Sequence, residues 1–140
     1  MDDPYNLRRF VEAQDPIYEA VLEELRSGLK TGHWMWFVFP QIAGLGFSSM
    51  ARRFEIASVE EAGAYLEHPI LGPRLRECTR LVSNIEGRTV RQIFGQPDDL
   101  KFRSSMTLFA KVARDDQIFE AALAKYGGGE HDPLTLGILG

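Results

Sequence analysis

The chain has 140 residues, of which 44% are hydrophobic and 26% are charged, and its formal net charge is -4. This length suits one domain, and this share of apolar residues is enough to build a core, which excludes a disordered chain. The acidic balance argues against a general nucleic-acid binder, because such proteins carry a basic excess that pairs with phosphates. We therefore expect a single domain over residues 1–140 with no nucleic-acid partner.

The cysteine content and the N-terminal residues indicate the cellular compartment of the protein. The single cysteine, Cys78, excludes a disulfide within the chain and is typical of a reducing compartment. Residues 1–4 are acidic and carry no apolar run, so no secretory signal is predicted. The longest apolar stretch, residues 34–40, is far shorter than a membrane span. We expect a cytoplasmic protein with no membrane partner.

Helix signals begin at the start of the chain. Asp3 followed by proline predicts a short first helix. Asp15-Pro16 predicts a second helix, with the aspartate as N-cap and the proline at the first helical position. Apolar residues then recur at helical spacing, which predicts that one face of this second helix lies in the core. These residues are Ile17, Val21, Leu25 and Leu29.

The second half of the chain carries the same kinds of helix start and end signals. Ser58 and Glu61 form a capping-box pattern that opens a helix, and Pro69 ends it. Four more helices are predicted over residues 72–85, residues 89–94, residues 97–113, and from Asp115 or Asp116 to the glycines at 127–129. No stretch alternates apolar and polar residues as a half-buried strand does. The pattern predicts an all-α fold of about seven or eight short helices.

The aromatic segment from His33 to Gln41 fits two structures. Its aromatic and β-branched residues suit a buried strand or a short buried helix, and periodicity does not separate the two over so few residues. A strand would have no partner in an otherwise helical chain, so we predict a helix. The indole groups of Trp34 and Trp36 are expected in the core or, because a buried N–H needs a partner, at the wall of a pocket.

Two glycines and two serines follow this aromatic segment. Gly44, Gly46 and Ser48 lie in a pattern that partly matches a dinucleotide-binding loop, but such a loop follows a strand within a βαβ unit. A tight turn with a serine helix cap accounts for the same residues. A turn whose backbone amides bind an anion is the alternative.

The segment from residue 98 to residue 107 combines carboxylates, cations and hydroxyls on one predicted helix. Such a set can hold a phosphate or a ribose, although polar residues also cover ordinary helix surfaces. The candidate ligand-binding residues of this segment are Lys101, Arg103, Ser104 and Thr107.

A glycine-rich turn near the end of the chain precedes Glu130, His131 and Asp132. Consecutive residues rarely converge on one metal ion, and no second histidine lies at a ligand spacing, so no metal site is predicted. Asp132 followed by Pro133 is expected to cap a last helical turn, which leaves its carboxylate free for another role only if it faces a pocket. No cofactor is predicted.

Several stretches of the sequence resemble one protein family. They are residues 10–14, 32–46, 61–75, 94–95 and 99–109. Over nearly the whole chain the sequence resembles the mainly bacterial family catalogued as domain of unknown function 1810. The resemblance implies an all-helical fold and brings no established activity. Some members carry the label calpastatin, which describes disordered inhibitors and does not fit this composition.

The order of features is also similar to the NADAR superfamily, which is associated with NAD and ADP-ribose metabolism. The corresponding positions are Glu12 and Gln14, Met106 and Phe109, and the turn at residues 127–132. Some members of that superfamily cleave N-glycosidic bonds of phosphorylated ribosides. This implies a site with a carboxylate, aromatic walls and donors that hold a phosphate.

The function predicted from the sequence is therefore a binder, or an N-glycosidase-type hydrolase, of a phosphorylated riboside or ADP-ribose-like nucleotide. The candidate catalytic carboxylates are Asp99, Asp132 and Glu12. The candidate ligand-binding residues are Trp34, Trp36, Gln41, Gly44, Gly46, Ser48, Lys101, Arg103, Ser104 and Thr107. The alternative is a non-enzymatic protein-interaction domain that uses the aromatic segment at residues 34–39. Whether the chain is an enzyme, and its oligomeric state, stay open.

Overall fold

Ten helices follow one another in the computed structural model, which describes residues 2–114 and 117–140. They are α1 (Arg8–Gln14), α2 (Tyr18–Ser27), α3 (Met35–Val38), α4 (Ser49–Arg53), α5 (Val59–Glu67), α6 (Leu71–Ser83), α7 (Val90–Phe94), α8 (Asp98–Val112), α9 (Ile118–Gly127) and α10 (Pro133–Leu139). The all-α prediction is confirmed. The described chain has more helices than the seven or eight predicted, and α3, α4 and α7 are single turns of four or five residues.

Most helix ends lie where the sequence predicted them, but the first helix begins at Arg8 and not at Asp3, whose carboxylate accepts from the amides of Leu7 and Arg8. Thr89 and Gln92 form a complete capping box at the start of α7. Ser58 accepts a hydrogen bond from the amide of Glu61 at the start of α5, whereas the Glu61 carboxylate accepts from the Ala57 amide and pairs with Arg9. The predicted capping box of α5 is therefore half formed. The predicted cap at residue 115 or 116 lies outside the described residues.

The predicted start of α2 at Asp15-Pro16 is wrong. The helix begins at Tyr18, and no side chain caps it. The carboxylate of Asp15 instead pairs with Arg74 of α6 at 2.9 Å, and the side-chain amide of Gln14 donates to the carbonyl oxygen of Phe37 at 2.6 Å. These tertiary contacts hold residues 14 and 15 at the end of α1. The apolar face of α2 is accordingly shorter than predicted, and Leu29, beyond the end of the helix, is exposed.

Helix α8 is the central element of the fold. It contacts α5, α7, α9 and α10, and it buries Phe102, Met106 and Phe109. Phe102 packs on Phe94 and Phe39 with ring centroids 4.9 and 5.1 Å apart, so the aromatic cluster joins α8 to the α3 region. Full burial of each such side chain stabilises the fold by roughly 1.5–3 kcal/mol. The polar residues of α8 are thereby held in fixed positions around its circumference.

The aromatic segment forms the single helical turn α3, as predicted. The loop that follows it is closed by a short parallel bridge between Ile42 and Ile56. The Ala43 amide donates to the carbonyl oxygen of Ile56 at 2.8 Å, and the Ile56 amide donates to that of Gln41 at 2.8 Å. This bridge brings residues 41 and 55 together beside α3. None of the helices in the described chain combines the length and the apolar character needed to cross a membrane.

Candidate functional site

The two tryptophans of the aromatic segment differ in their surroundings. Trp34 is 3% exposed, and its indole N–H donates to the carboxylate of Glu24 at 3.0 Å. Burial alone would raise the pKa of Glu24, but hydrogen bonds from the Gly32 and Thr31 amides and from Trp34 outweigh it and hold that pKa below its ordinary value. Trp34 therefore anchors the loop after α2 and lies in the core.

Trp36 is half-buried and forms one wall of a shallow cleft, here called the Trp36 cleft. Its lining residues are Trp36, Gln41, Ile42, Gly46, Ala51, Phe54 and Glu55. The enclosed space is about 10 Å³, which is room for roughly one water molecule. Three of the predicted ligand-binding residues thus share one cleft, and a larger ligand would have to lie across its mouth.

Two polar side chains, Gln41 and Glu55, line the Trp36 cleft, and the cation of Lys101 lies over the Trp36 ring. The side chains of Gln41 and Glu55 make no hydrogen bond within the described part of the chain. The ammonium of Lys101 lies 5.0 Å from the centre of the Trp36 ring and 3.4 Å from a carboxylate oxygen of Asp98. This arrangement presents an aromatic face, a cation, an amide and a carboxylate in one region.

The glycines and the serine of the loop have distinct structural roles. A Cβ on Gly46 would lie 2.6 Å from the Cβ of Ala51, so only glycine fits this approach of the loop to α4. Ser48 caps α4 by accepting a hydrogen bond from the Ala51 amide at 3.1 Å. Gly44 has a φ of +102°, and a Cβ there would lie 3.4 Å from the Ile138 side chain of α10. The loop is therefore a tight turn with a serine cap.

Asp132 lies at a junction between α8 and α10. One of its carboxylate oxygens, Oδ2, accepts from the Ser104 hydroxyl at 3.1 Å, from the Thr135 amide at 3.0 Å and from the Thr135 hydroxyl at 2.6 Å. Its own amide donates to the hydroxyl oxygen of Thr107 at 2.9 Å. Asp132 thus caps the last helix, as predicted, and the buried residues Ser104 and Thr107 form hydrogen bonds with it.

Arg103 fixes the turn that leads into this junction. Its guanidinium donates to the carbonyl oxygens of Glu130 and His131 at 3.2 and 2.9 Å, and it pairs with the Glu130 carboxylate at 3.5 Å. These contacts direct the Nε and Nη2 donors of Arg103 to the chain itself and not to a phosphate. The geometry gives Arg103 a role in holding residues 130–131 against α8.

Nothing in the described contacts joins the three predicted catalytic carboxylates. Glu12 lies on α1 with its side chain 69% exposed, and its charged partner is Arg8 at 3.8 Å. Asp99 is half-buried in the first turn of α8, and its Oδ1 is buried without a hydrogen-bond partner among the described residues. Asp99 precedes Lys101 by two positions, which puts the two side chains on opposite sides of the helix.

Two residues that organise this region, Lys30 and Glu55, were not predicted from the sequence. Lys30, whose side chain is 7% exposed, pairs with Asp98 at 2.8 Å and so ties the loop after α2 to the start of α8. Glu55 lines the Trp36 cleft because the bridge between Ile42 and Ile56 holds the adjacent backbone there. No periodic pattern in the sequence indicates this position. No cluster of three metal-ligating side chains occurs within residues 2–114 and 117–140.

Comparison with known proteins places the chain in a family. The family described as "Protein of unknown function (DUF1810)" matches residues 4–139. The crystal structure of Rv1873, a conserved hypothetical protein from Mycobacterium tuberculosis, is 59% identical in sequence, with 98% of each chain covered and a TM-score of 0.97. No curated protein matches the chain. None of these comparisons shows the NADAR resemblance. The chain belongs to the DUF1810 family, whose model spans residues 4–139.

Proposed function

We propose that the chain binds a small ligand with a flat ring and an anionic group, of the phosphorylated riboside or ADP-ribose-like class, across the Trp36 cleft. The observation that carries this proposal is the half-buried indole of Trp36 with the Lys101 ammonium 5.0 Å from its ring centre. Stacking of a base on an aromatic side chain is worth roughly 1–3 kcal/mol. A neighbouring ammonium adds attraction for a phosphate.

The polar groups of the cleft suit the rest of such a ligand. The amide of Gln41 can donate to and accept from a base edge, and the carboxylate of Glu55 can accept from ribose hydroxyls. Lys101 must leave Asp98, 3.4 Å away, to reach a phosphate, and Asp98 keeps its second partner, Lys30, at 2.8 Å. The ligand lies across a shallow cleft, so we expect modest affinity.

Binding is favoured over glycosidic cleavage by the positions of the predicted catalytic carboxylates. The Oδ2 of Asp132 is occupied by three hydrogen bonds, Glu12 lies on α1, and Asp99 projects from the other side of α8 than Lys101. Glu55 is the acidic residue among those that line the cleft. Cleavage at this site would therefore depend on Glu55.

A calorimetric titration with AMP, ribose 5-phosphate and ADP-ribose tests the proposal. Lys101→Met removes the ammonium and keeps the aliphatic stem, and we expect it to weaken binding of the best ligand about tenfold, which is typical of one charge-assisted contact. Lys111→Met, on the exposed far end of the same helix, is the matched control and should bind like the unmodified chain.

Three outcomes separate the alternatives. Saturable binding that falls in Lys101→Met and in Trp36→Leu supports the proposal. Absence of binding by all three ligands, or equal losses in Lys101→Met and Lys111→Met, overturns it. Release of free base during incubation, lost in Glu55→Gln, would show that the site is hydrolytic.

The aromatic segment exposes little surface, which disfavours the alternative that it binds a partner protein. Trp34 and most of α3 are buried, and Trp36 is half-buried. Large exposed apolar side chains occur elsewhere, at Phe47, which is 75% exposed, and at Leu134 and Ile138 on α10. Within residues 2–114 and 117–140, no contact shows what would cover these side chains.

A further inference from the structure

Gln41 and Glu55 lie side by side at the wall of the Trp36 cleft. A parallel bridge pairs the residues that follow them, Ile42 and Ile56, which are 3% and 0% exposed and belong to the core. Successive side chains of an extended chain point to opposite faces, so Gln41 and Glu55 share the outer face, with their backbones about 4.8 Å apart. Both residues line the cleft.

The polar atoms of these two side chains are accessible and have no partner in the described chain. Both residues are half-buried, and neither side chain makes a hydrogen bond or an ion pair within residues 2–114 and 117–140. None of their side-chain oxygen or nitrogen atoms is fully buried. An amide and a carboxylate are therefore presented together to whatever lies across the mouth of the cleft.

The cations nearest to this pair are engaged elsewhere. The residues that line the cleft include no lysine, arginine or histidine. The Arg9 guanidinium donates to the carbonyl oxygen of Glu55, but its charge is paired with the Glu61 carboxylate at 3.0 Å. Lys101 pairs with Asp98 at 3.4 Å. The Glu55 carboxylate thus lacks a donor that a ligand can supply.

The donor and acceptor pattern of the pair distinguishes between nucleotide bases. A carboxylate only accepts hydrogen bonds, whereas an amide both donates and accepts. One edge of guanine carries two neighbouring N–H donors, the ring N1–H and the exocyclic amino group, beside a carbonyl oxygen. Two parallel N–H groups match the two oxygens of a carboxylate, as in bidentate contacts with arginine. Adenine and hypoxanthine each offer one such donor on the same edge.

We propose that the Trp36 cleft selects a guanine nucleotide. The two N–H donors of the base contact the Glu55 carboxylate, the Gln41 amide donates to the carbonyl oxygen of the base, and the ring stacks on Trp36. Glu55 can also accept from ribose hydroxyls, but its place beside Gln41 assigns it to the edge of the base that Gln41 contacts. This inference names the base for the proposed function and rests on that function.

Calorimetric titration of the unmodified chain with GMP, IMP and AMP tests this selectivity. The three nucleotides share the ribose 5-phosphate, so only the edge of the base differs between them. IMP lacks the exocyclic amino group of GMP, and AMP lacks both the ring N–H and the carbonyl oxygen. We expect GMP to bind at least about tenfold more tightly than IMP or AMP, as for one hydrogen bond to a charged acceptor.

Two variants separate the roles of the pair. Glu55→Gln keeps the size of the side chain and replaces one acceptor oxygen with a donor, so the ratio of the GMP and IMP affinities should fall towards one. Gln41→Leu removes the donor to the carbonyl oxygen that GMP and IMP share, so it should weaken both and keep their ratio. Glu60→Gln, at an exposed carboxylate on α5, is the control and should leave every affinity unchanged.

The outcomes separate this inference from the function on which it rests. Equal affinities for GMP and IMP, or a preference for GMP that persists in Glu55→Gln, overturn the inference, while binding of AMP that depends on Lys101 leaves the proposed function standing. Absence of binding by all three nucleotides overturns both. The comparison of GMP with IMP needs only the unmodified chain, so it decides the matter even if a variant does not fold.

Discussion

Asp132 caps the start of α10 and Asp99 lies in the first turn of α8, yet the carboxylates of these two aspartates differ in their partners. Asp132 Oδ2 accepts three hydrogen bonds, one of them from Ser104 of α8 and two from Thr135 of its own helix. Asp99 Oδ1 is buried and accepts none from the described chain. The difference arises because donors of both α8 and α10 reach Asp132 Oδ2, whereas no donor of the described chain reaches Asp99 Oδ1.

This comparison separates two uses of the same residue type. A carboxylate with a full set of donors stabilises the fold and has little capacity left for a ligand on that oxygen. A carboxylate with a buried, unpartnered oxygen adds little to stability, because that oxygen loses its hydration without gaining a donor. Stability measurements on matched variants therefore test whether this distinction holds.

The largest effect is expected at Asp132. Asp132→Ala removes the helix cap and leaves the buried hydroxyl of Thr135 without its acceptor, so we expect a loss of about 2–4 kcal/mol in the free energy of unfolding. Urea denaturation measures it. Asp132→Asn retains an acceptor oxygen and should lose less. A loss below about 0.5 kcal/mol for the alanine variant would contradict the role assigned to Asp132.

The next largest loss of stability is expected at Thr107, on the α8 side of the junction between α8 and α10. Thr107→Val removes the hydroxyl that accepts from the Asp132 amide, which should cost about 1–2 kcal/mol in urea denaturation. Thr79→Val is the control, since the Thr79 hydroxyl is also buried and donates within its own helix, to Leu75. Equal losses in the two variants would show that the contact between α8 and α10 contributes nothing of its own.

A third carboxylate, Glu24, extends the comparison to pH. Its pKa is lowered from the ordinary value of 4.5, because the hydrogen bonds from Gly32, Thr31 and Trp34 outweigh burial. A group with a lowered folded-state pKa contributes stability that is present above 4.5 and is lost as the pH falls through the folded-state pKa. We expect Glu24→Gln to lose under about 1 kcal/mol at neutral pH and to unfold with a flatter acid dependence. An unchanged acid limb would contradict this.

The smallest effect is expected at Asp99. Asp99→Asn loses a favourable interaction with the N-terminus of α8 and removes a poorly solvated charge, so the free energy of unfolding should change by less than about 0.5 kcal/mol. Asp98→Asn, on the adjacent residue, should lose more because Asp98 pairs with Lys30 and Lys101. A loss of about 2 kcal/mol at Asp99 would mean that the carboxylate has a structural partner.

Much of the fold was predictable because the residues that start and end its helices act over short distances in the sequence. The capping box of Thr89, the cap at Asp132 and the glycine after α9 depend on residues within four positions of one another, and the structure has each of them. Asp15 was misjudged because its carboxylate pairs with Arg74, 59 positions away in the chain. A local rule has no access to such a partner.

The candidate site was predictable only in part. The sequence singled out Trp36, Gln41 and Gly46, which share one cleft, but it grouped Asp99 with Lys101 although helix geometry separates them. Arg103, Ser104 and Thr107 were predicted to bind a ligand. In the structure their side chains instead form hydrogen bonds with His131 and Asp132, at the turn before α10. Polar residues on a helix look alike until the neighbouring element supplies or withholds a partner.

The sequence is sufficient to predict the helical class of this protein, the ends of most helices and its membership of the DUF1810 family. These depend on short-range spacing, on capping and on the residue pattern along the chain. The three-dimensional structure is needed to show that Ser104 of α8 donates to the helix cap Asp132 and that Trp34 is core while Trp36 borders a cleft. It also shows that Asp99 Oδ1 is buried without a partner in the described chain. Burial and hydrogen bonding depend on groups that are distant in the chain, so no local pattern specifies them.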